Sequence, residues 1–170
     1  MRYFIIGYKN CGKTTIGRKL AAKLGMEFID LDELIEEREG KSVPEIYTEI
    51  GDNGFRVKEW EALKEIIRKD NQVVALGGGT PCHCDNMNFI EKYGEVIYIQ
   101  LDSDTLVSRL KKATKDRPIV LNKTDEELRN YVQDIREKCE HHYLRAKYYV
   151  SGKNLTVNNI LHVLQSDKKS

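Results

Sequence analysis

The chain has 170 residues, with 28 Lys and Arg against 27 Asp and Glu, which gives a net charge of +1. This length suits one domain with a full hydrophobic core, and the balanced charge argues against a nucleic acid or an anionic membrane as the main partner. No apolar run reaches the ~20 residues that span a bilayer, and the N-terminus enters a strand directly rather than a secretory signal. We therefore expect a cytoplasmic protein, and a monomer.

The first predicted elements are a strand over residues 2–6 and a helix over residues 13–24, joined by a loop that reads Gly-x-x-x-x-Gly-Lys-Thr. Between a strand and a helix, this spacing predicts a phosphate-binding loop, because its glycines let successive N–H groups point at phosphate oxygens. Lys13 would contact the β- and γ-phosphates, and the Thr14 hydroxyl can ligate Mg²⁺. A glycine turn before a helix is also common without a ligand, but the Lys-Thr pair favours a nucleoside triphosphate. The predicted nucleotide-binding residues of this loop are Gly7, Asn10, Cys11, Gly12, Lys13, Thr14 and Thr15.

A second short strand, over residues 27–32, ends in two carboxylates, and helical spacing follows it up to Gly40. Asp30 can hold Mg²⁺ through water, while Asp32 can reach an acceptor hydroxyl and favour the loss of its proton. The alternative is that both are ordinary loop or helix-cap acids.

Two helices are predicted next, a short one that begins at a cap on Ser42 and ends at Gly51, and a long one from Phe55 to about Lys69. Arg56 lies at the start of the long helix. It is either a lone surface arginine or a bidentate partner for a carboxylate or for vicinal hydroxyls.

A third strand, over residues 72–76, ends in Gly77, Gly78 and Gly79. Triple glycine can be a sharp turn, but at a strand end it can also offer backbone N–H groups to an acceptor substrate. In open parallel sheets ligands bind beyond the carboxyl ends of the strands. We therefore expect the phosphate loop, the two carboxylates and the three glycines to face one cleft.

The rest of the chain predicts a helix over residues 85–93, a strand over 95–101, a helix after Ser103, a strand near 148–150 and a helix over 156–165. Thr124 and Glu127 form a capping-box signature at the start of a further helix. The segment before it, which contains Arg117, reads as a mobile lid over residues 112–124, and Arg117 could swing over the phosphates.

Strands that alternate with helices predict a three-layer α/β/α domain of the P-loop NTPase type with a five-stranded parallel sheet. The whole chain forms this single domain, and residues 31–62 form a substrate-binding helical region.

Four cysteines, Cys11, Cys82, Cys84 and Cys139, are too few and too irregularly spaced for a disulfide framework. Cys82-His83-Cys84 invites a zinc interpretation, but no second Cys/His pair lies at a finger-like spacing. We expect a reduced pair that binds no metal.

Taken in order, the motifs resemble those of the shikimate kinase family over nearly the whole chain. They are Gly-x-x-x-x-Gly-Lys-Thr-Thr-Ile-Gly at 7–17, Phe-Ile-Asp-x-Asp at 28–32, Ile-Glu-Glu-Arg at 35–38, Gly-x-x-Gly-Phe-Arg-x-x-Glu at 51–59, Gly-Gly-Gly at 77–79 and Arg-Pro-Ile at 117–119. Each motif is unspecific alone, but the ordered set is difficult to obtain otherwise.

The resemblance implies ATP-dependent phosphorylation of the 3-hydroxyl of shikimate, on the way to chorismate and the aromatic amino acids, with Mg²⁺. It implies that Lys13 and Arg117 stabilise the transferring phosphoryl group, that Thr14 and Asp30 hold the metal, and that Asp32 is the base. The shikimate-contacting positions that it implies are Asp32, Arg56 and Gly78 within Gly77–Gly79, with Glu59 supporting the arginine. Arg109 falls near the family's adenine-stacking arginine, and Lys153 and Asn154 fall in its adenine loop.

One position departs from the family pattern, which carries a second carboxylate-binding arginine late in the helix that begins at Thr124. Cys139 occupies that position here, or Lys138 after a slip of one residue, and Arg136 lies nearly one turn back on the same helix. We predict Arg136 as the substitute. Loss of such a charge-assisted bond without replacement costs roughly 1.5–3 kcal/mol.

Two alternatives to shikimate phosphorylation stay open. The chain could phosphorylate another small hydroxylated metabolite that lacks the carboxylate, which the departure at Cys139 favours. It could instead be a non-catalytic ATP-binding module, although a sensor has no use for an acceptor-side base such as Asp32.

Overall fold

The computed structural model describes residues 1–113 and 123–167. Five parallel strands form one sheet in the order β2-β3-β1-β4-β5. They are β1 (Arg2–Ile6), β2 (Glu27–Asp30), β3 (Gln72–Ala75), β4 (Glu95–Gln100) and β5 (Tyr148–Ser151). All residues of β1 and β3 are buried, as strands must be when layers cover both faces of a parallel sheet. The predicted α/β/α architecture with five parallel strands is confirmed.

Seven helices connect or flank the strands in the described part of the chain. They are α1 (Lys13–Leu24), α2 (Leu31–Glu39), α3 (Val43–Ile66), α4 (Asn86–Tyr93), α5 (Ser103–Lys112), α6 (Asp125–Tyr143) and α7 (Val157–Asp167), and a short 3₁₀ turn covers Thr80–Cys82. Among these ranges, none combines the length and the apolar character that crossing a membrane requires.

The predicted helix starts agree with the local chemistry. Ser42 and Thr124 each accept a hydrogen bond from the backbone N–H three residues on, and Glu45 and Glu127 bond back to the cap, so both are complete capping boxes. Each box satisfies two backbone N–H groups that have no partner inside the helix.

The range of α3 contains two helical stretches that meet at Gly51, where φ is 72° and ψ is −178°. This backbone region is open to glycine and strained for other residues. The predicted end of a short helix at Gly51 is therefore confirmed, while the second stretch begins directly after Gly51 rather than at Phe55 and ends at Ile66 rather than near Lys69.

The strand predicted over residues 27–32 ends at Asp30, because that side chain caps α2, accepting hydrogen bonds from the N–H groups of Asp32 and Glu33. The predicted lid falls mostly between residues 113 and 123, so Arg117 lies outside the described residues.

Candidate active site

Two adjoining cavities open beyond the carboxyl ends of β1, β2 and β3. The phosphate-loop cavity, of about 680 Å³, is lined by the loop before α1 and by the start of α2. The α3–α6 cavity, of about 960 Å³, lies between helices α3 and α6. Both cavities are lined by Lys9, Asp32, Gly77 and Gly78. The three strand ends therefore face one cleft, as parallel topology predicts.

The phosphate loop places its lysine and threonine as the motif predicts. Nζ of Lys13 donates hydrogen bonds to the carbonyl oxygens of Gly7 and Tyr8 at 2.8 and 2.9 Å. These bonds hold the ammonium group above the loop, where a phosphate oxygen can take their place. The loop residues that line the cavity are Lys9, Asn10, Gly12, Lys13, Thr14 and Thr15, while Cys11 is buried beneath them.

Asp30 joins the loop to α2. Its Oδ2 accepts a hydrogen bond from Oγ1 of Thr14 at 2.5 Å, while Oδ1 caps the helix. Asp30 is thus a helix-cap acid, and it also lies beside the threonine with which it was predicted to bind metal. A hydroxyl and a carboxylate oxygen in contact form the hard-oxygen donor set that suits Mg²⁺, which commonly uses one or two protein groups together with substrate phosphates. The described residues contain no cluster of three or more His, Cys, Asp or Glu side chains that could hold a metal by itself.

Asp32 lies where the two cavities meet. Burial raises the pKa of its carboxyl group to about 6, and the negative charges of Asp30 and Glu59 add to this, against the opposing effect of Lys9 and Lys13. A carboxylate with a pKa near neutrality can accept a proton at neutral pH and release it again. Asp32 thus lies between the two cavities with a carboxyl group that can exchange a proton near neutral pH.

Arg56 is fixed on one wall of the α3–α6 cavity. Nη1 donates to Oε2 of Glu59 at 2.7 Å, and Oε1 of Glu59 accepts from Oγ1 of Thr80 at 2.5 Å. The Arg56 side chain is only 12% exposed and Glu59 is 1% exposed, so the pair is held rigidly, with Asp52 at 3.4 Å from Nη2. Arg56 is not a lone surface arginine.

Close contacts with neighbouring side chains require glycine in the turn after β3. A Cβ atom at Gly77 would lie 2.9 Å from Oδ1 of Asp32, and one at Gly79 would lie 2.8 Å from Nη2 of Arg56. The turn after β3 therefore packs its bare backbone against the two charged side chains of the site. This favours a binding wall over the alternative of a simple sharp turn.

Arg109 crosses from α5 to the loops on either side of the phosphate-loop cavity. It donates to the carbonyl oxygens of Asn10 and Gly152, both at 3.1 Å. Lys153 and Asn154 follow directly in the chain, and Nζ of Lys153 lies 3.6 Å from Asp102. Arg109 and the segment after β5 are thus adjacent, as the adenine-side assignment requires.

Arg136 lies away from the α3–α6 cavity. Its guanidinium bonds to Glu140 at 3.2 Å and to the carbonyl oxygen of Leu101, and it stacks 5.1 Å from the ring centre of Tyr8. It lines a separate cavity of about 500 Å³ instead. Lys138 does line the α3–α6 cavity, with an exposed side chain. The predicted substitute is thus placed elsewhere, and the alternative, Lys138, faces the cavity.

The expectation for the cysteines is wrong in one respect. Cys82 forms a disulfide with Cys139 across 57 residues, with a Cα–Cα distance of 5.4 Å, while Cys11 and Cys84 are free. The sequence spacing gave no sign of this pair, because the 3₁₀ turn and α6 come together only in the folded chain.

Sequence reasoning also missed residues that line the site. Lys9 occupies a variable position of the loop motif and lines both cavities, and Tyr143 bonds through its hydroxyl to the carbonyl oxygen of Gly78. Glu140, which lines the separate cavity with Arg136, accepts hydrogen bonds from the hydroxyls of Tyr8 and Tyr98. None of these positions belongs to a local sequence motif. Only the helical spacing of apolar residues along α6 could have indicated which face of that helix points inward.

Comparisons with known proteins agree with this geometry. The profile of the shikimate kinase family matches residues 9–166. A shikimate kinase of Bacteroides thetaiotaomicron is 41% identical over 155 residues, which cover 91% of this chain and 89% of the relative. A crystal structure of shikimate kinase from that organism has a TM-score of 0.87 at 38% identity, covering 99% of this chain and 97% of the other. A structure from Acinetobacter baumannii in complex with shikimate has a TM-score of 0.86 at 30% identity, covering 99% and 95%.

Proposed function

Because the chain belongs to the shikimate kinase family, we infer that it is a phosphotransferase that moves the terminal phosphoryl group of ATP to the 3-hydroxyl of shikimate. The observation that carries the assignment of roles is the position of Asp32, which lines both cavities. A group at this junction can touch the acceptor hydroxyl at the point where it meets the phosphate.

The phosphate-loop cavity is proposed to bind ATP. The N-terminus of α1 supplies unpaired backbone N–H groups to the phosphates, and Lys13 exchanges its two carbonyl partners for phosphate oxygens. Arg109 would cover the adenine, with Lys153 and Asn154 on the far side. Arg117 is proposed to reach the γ-phosphate from the segment outside the described residues.

Thr14 and Asp30 are proposed to hold Mg²⁺, since their hydroxyl and carboxylate oxygens are already in contact. When bound, the ion would neutralise charge on the β- and γ-phosphate oxygens. Asp30 keeps its second oxygen on the N–H groups of α2, so its orientation does not depend on the metal.

The α3–α6 cavity is proposed to bind shikimate. Arg56 would bind the carboxylate with the guanidinium edge that Glu59 leaves open, and Lys138 would supply the second positive charge from the opposite wall. Backbone groups of Gly77–Gly79 would contact the ring hydroxyls. Arg136 has no part in this proposal, because its guanidinium is occupied elsewhere.

In the reaction, Asp32 accepts the proton of the 3-hydroxyl as the oxygen attacks the γ-phosphorus in line. Lys13 stabilises the negative charge that develops on the oxygen between the β- and γ-phosphorus atoms. Because the transition state is loose, most of the rate comes from holding the two substrates in line and from charge stabilisation.

We further propose that the enzyme acts as a monomer in the cytosol, where ATP is supplied. All residues given a role here belong to one chain, so no second copy is required to complete the site. Size-exclusion chromatography with light scattering should give a mass near 19.7 kDa; a stable dimer would contradict the monomer.

A coupled ADP-release assay with MgATP and shikimate tests the function. Saturation by shikimate at micromolar to low millimolar concentration is expected. Asp32→Asn should lower kcat by about 10²–10⁴-fold with little change in KM for ATP, and Lys13→Ala should abolish turnover. ATP binding without any turnover of shikimate would favour a different acceptor, and ATP binding without turnover of any hydroxylated acceptor would favour the non-catalytic module.

A further inference from the structure

The disulfide between Cys82 and Cys139 lies in the wall of the α3–α6 cavity. Both residues line that cavity, together with His83 and Lys138. Cys139 is 7% exposed, Cys82 is half-buried, and Cys84 is exposed on the outer surface. Two of the four cysteines are therefore paired at the site, and a third lies two residues away without a partner.

The two half-cystines belong to elements that shape the cavity. Cys82 ends the 3₁₀ turn that begins directly after Gly79, and Cys139 lies on the inner face of α6. Beyond the disulfide, the described residues join the two elements through the hydroxyl of Tyr143, which donates to the carbonyl oxygen of Gly78. His83, whose Nδ1 lies 2.8 Å from the carbonyl oxygen of Gly79, reinforces the same turn.

The disulfide thus connects the glycine turn to α6 covalently, and the hydrogen bond from Tyr143 to Gly78 connects them at a second point. When the disulfide is reduced, two thiols replace one bond, and the non-bonded sulfur atoms require more space than the bonded ones. The turn and α6 must then move apart, or the side chains of Cys82 and Cys139 must change rotamer inside the cavity. An acceptor that contacts both walls has to order them on binding, and its affinity falls by the cost of that ordering.

We propose that Cys82 and Cys139 form a reversible thiol–disulfide exchange site that sets the affinity of the cavity for its acceptor. The inference rests on the proposed function, because it takes the α3–α6 cavity as the acceptor site. The co-reactant is a low-molecular-weight disulfide when the pair is oxidised and two equivalents of the corresponding thiol when it is reduced.

The exchange runs in two steps. The thiolate of Cys82, the more exposed of the two, attacks one sulfur of the external disulfide, so that a mixed disulfide forms and one external thiolate leaves. The thiolate of Cys139 then attacks the Cys82 sulfur, forming the internal disulfide and releasing the second external thiolate. The two protons lost by the cysteines end on the two external thiols, and the external disulfide takes up two electrons.

The test compares enzyme equilibrated with glutathione disulfide and with reduced glutathione. Alkylation of free thiols followed by peptide mass spectrometry should show Cys82 and Cys139 protected together in the oxidised sample and labelled together in the reduced one. The oxidised enzyme should have a KM for shikimate about two- to tenfold lower than the reduced enzyme, with the KM for ATP unchanged, and the difference should reverse on reduction.

Variants separate this role from general effects of oxidation. Cys82→Ser and Cys139→Ser should each fix the KM for shikimate near the reduced value in both buffers. Cys84→Ser, which removes the neighbouring exposed thiol, should keep the full response.

Three results would overturn the proposal. They are a pair that stays reduced in excess glutathione disulfide, an equal KM for shikimate in both states, and a response that survives in Cys82→Ser. Failure of the proposed function would look different, because shikimate would not be turned over in either state while the mass-spectrometric result stood unchanged.

Discussion

Two carboxylates at the end of β2 stand two residues apart and have different surroundings. Asp30 uses both oxygens, one on Thr14 and one on the N–H groups of α2. Asp32 is buried between neighbouring acids, so its pKa rises to about 6. Asp30 ends β2 and caps α2, whereas Asp32 lies in the first turn of that helix. The change from strand to helix between them gives the two carboxylates different surroundings, so they can divide metal binding and proton transfer.

The raised pKa of Asp32 predicts the acid limb of the pH profile. Below pH 6 the carboxyl group is mostly protonated and cannot accept the hydroxyl proton. The value of kcat/KM for shikimate at saturating MgATP should therefore fall about tenfold per pH unit below pH 6 and level off above it. Initial rates from pH 5 to pH 8 measure this.

Asp32→Asn is the control for that profile. The kcat/KM of this variant for shikimate should not fall below pH 6. A fall caused by the ionisation of ATP itself would persist in the variant. A limb that survives in Asp32→Asn would assign the titration to another group.

Lys138 and Arg136 form a matched pair for testing the second carboxylate contact. Lys138→Met should raise the KM for shikimate about tenfold, because a charge-assisted bond of about 1.5 kcal/mol is lost, and should leave kcat and the KM for ATP unchanged. Steady-state kinetics with each substrate varied in turn measure this.

Arg136→Met should leave the KM for shikimate within about twofold. It should lower the free energy of unfolding by about 1–3 kcal/mol, since the carbonyl oxygen of Leu101 and the carboxylate of Glu140 lose their partner. The reverse pattern, with KM raised only in Arg136→Met, would restore the prediction made from the sequence.

At the scale of elements, local signals were sufficient for most boundaries. Ser42 and Thr124 predict their helix starts because a cap depends only on residues within one turn. The phosphate loop is equally local. The break at Gly51 is local too, because glycine is the residue that most readily adopts the positive φ that interrupts a helix. The apolar spacing did not reveal that the helix resumes directly after Gly51 instead of at Phe55.

The glycine turn after β3 leads to a further prediction. Gly79→Ala should raise the KM for shikimate about tenfold, because the new Cβ would lie 2.8 Å from Nη2 of Arg56 and must displace the guanidinium from its place beside Glu59. The KM for ATP should not change, since Gly79 does not line the phosphate-loop cavity. Kinetics with each substrate, together with circular dichroism to confirm folding, measure this.

Gly40→Asn serves as the control for Gly79→Ala. A Cβ at Gly40 meets no atom within 4 Å, asparagine tolerates its positive φ, and the position ends α2 away from the glycine turn. An unchanged KM for shikimate in Gly79→Ala would show that Arg56 does not need its present position.

At the scale of the whole molecule, the sequence predicts which strand ends carry polar groups, and parallel topology then brings those ends together. The convergence of the phosphate loop, Asp32 and Gly77–Gly79 could be predicted for this reason. The contacts that helices make across the site could not be predicted from the sequence. The pairing of Cys82 with Cys139 and the direction of Arg136 depend on the rotation of α6 about its axis, which tertiary packing sets and no local pattern records.

The assignment of the two cavities to two ligands predicts how ligands stabilise the folded chain. MgATP at about 100 times its dissociation constant should add about 2.7 kcal/mol to the free energy of unfolding, which for a domain of this size raises Tm by about 5–10 °C. Chelation of the metal should remove much of this shift if Thr14 and Asp30 hold Mg²⁺ against the phosphates. Differential scanning fluorimetry measures it, with Lys13→Ala as the nucleotide-side control and Lys138→Met as the acceptor-side control. Lys13→Ala should lose the shift from MgATP and keep the one from shikimate, whereas Lys138→Met should keep the shift from MgATP and have a smaller one from shikimate. If either variant lost both shifts, the two cavities would not be separate binding sites.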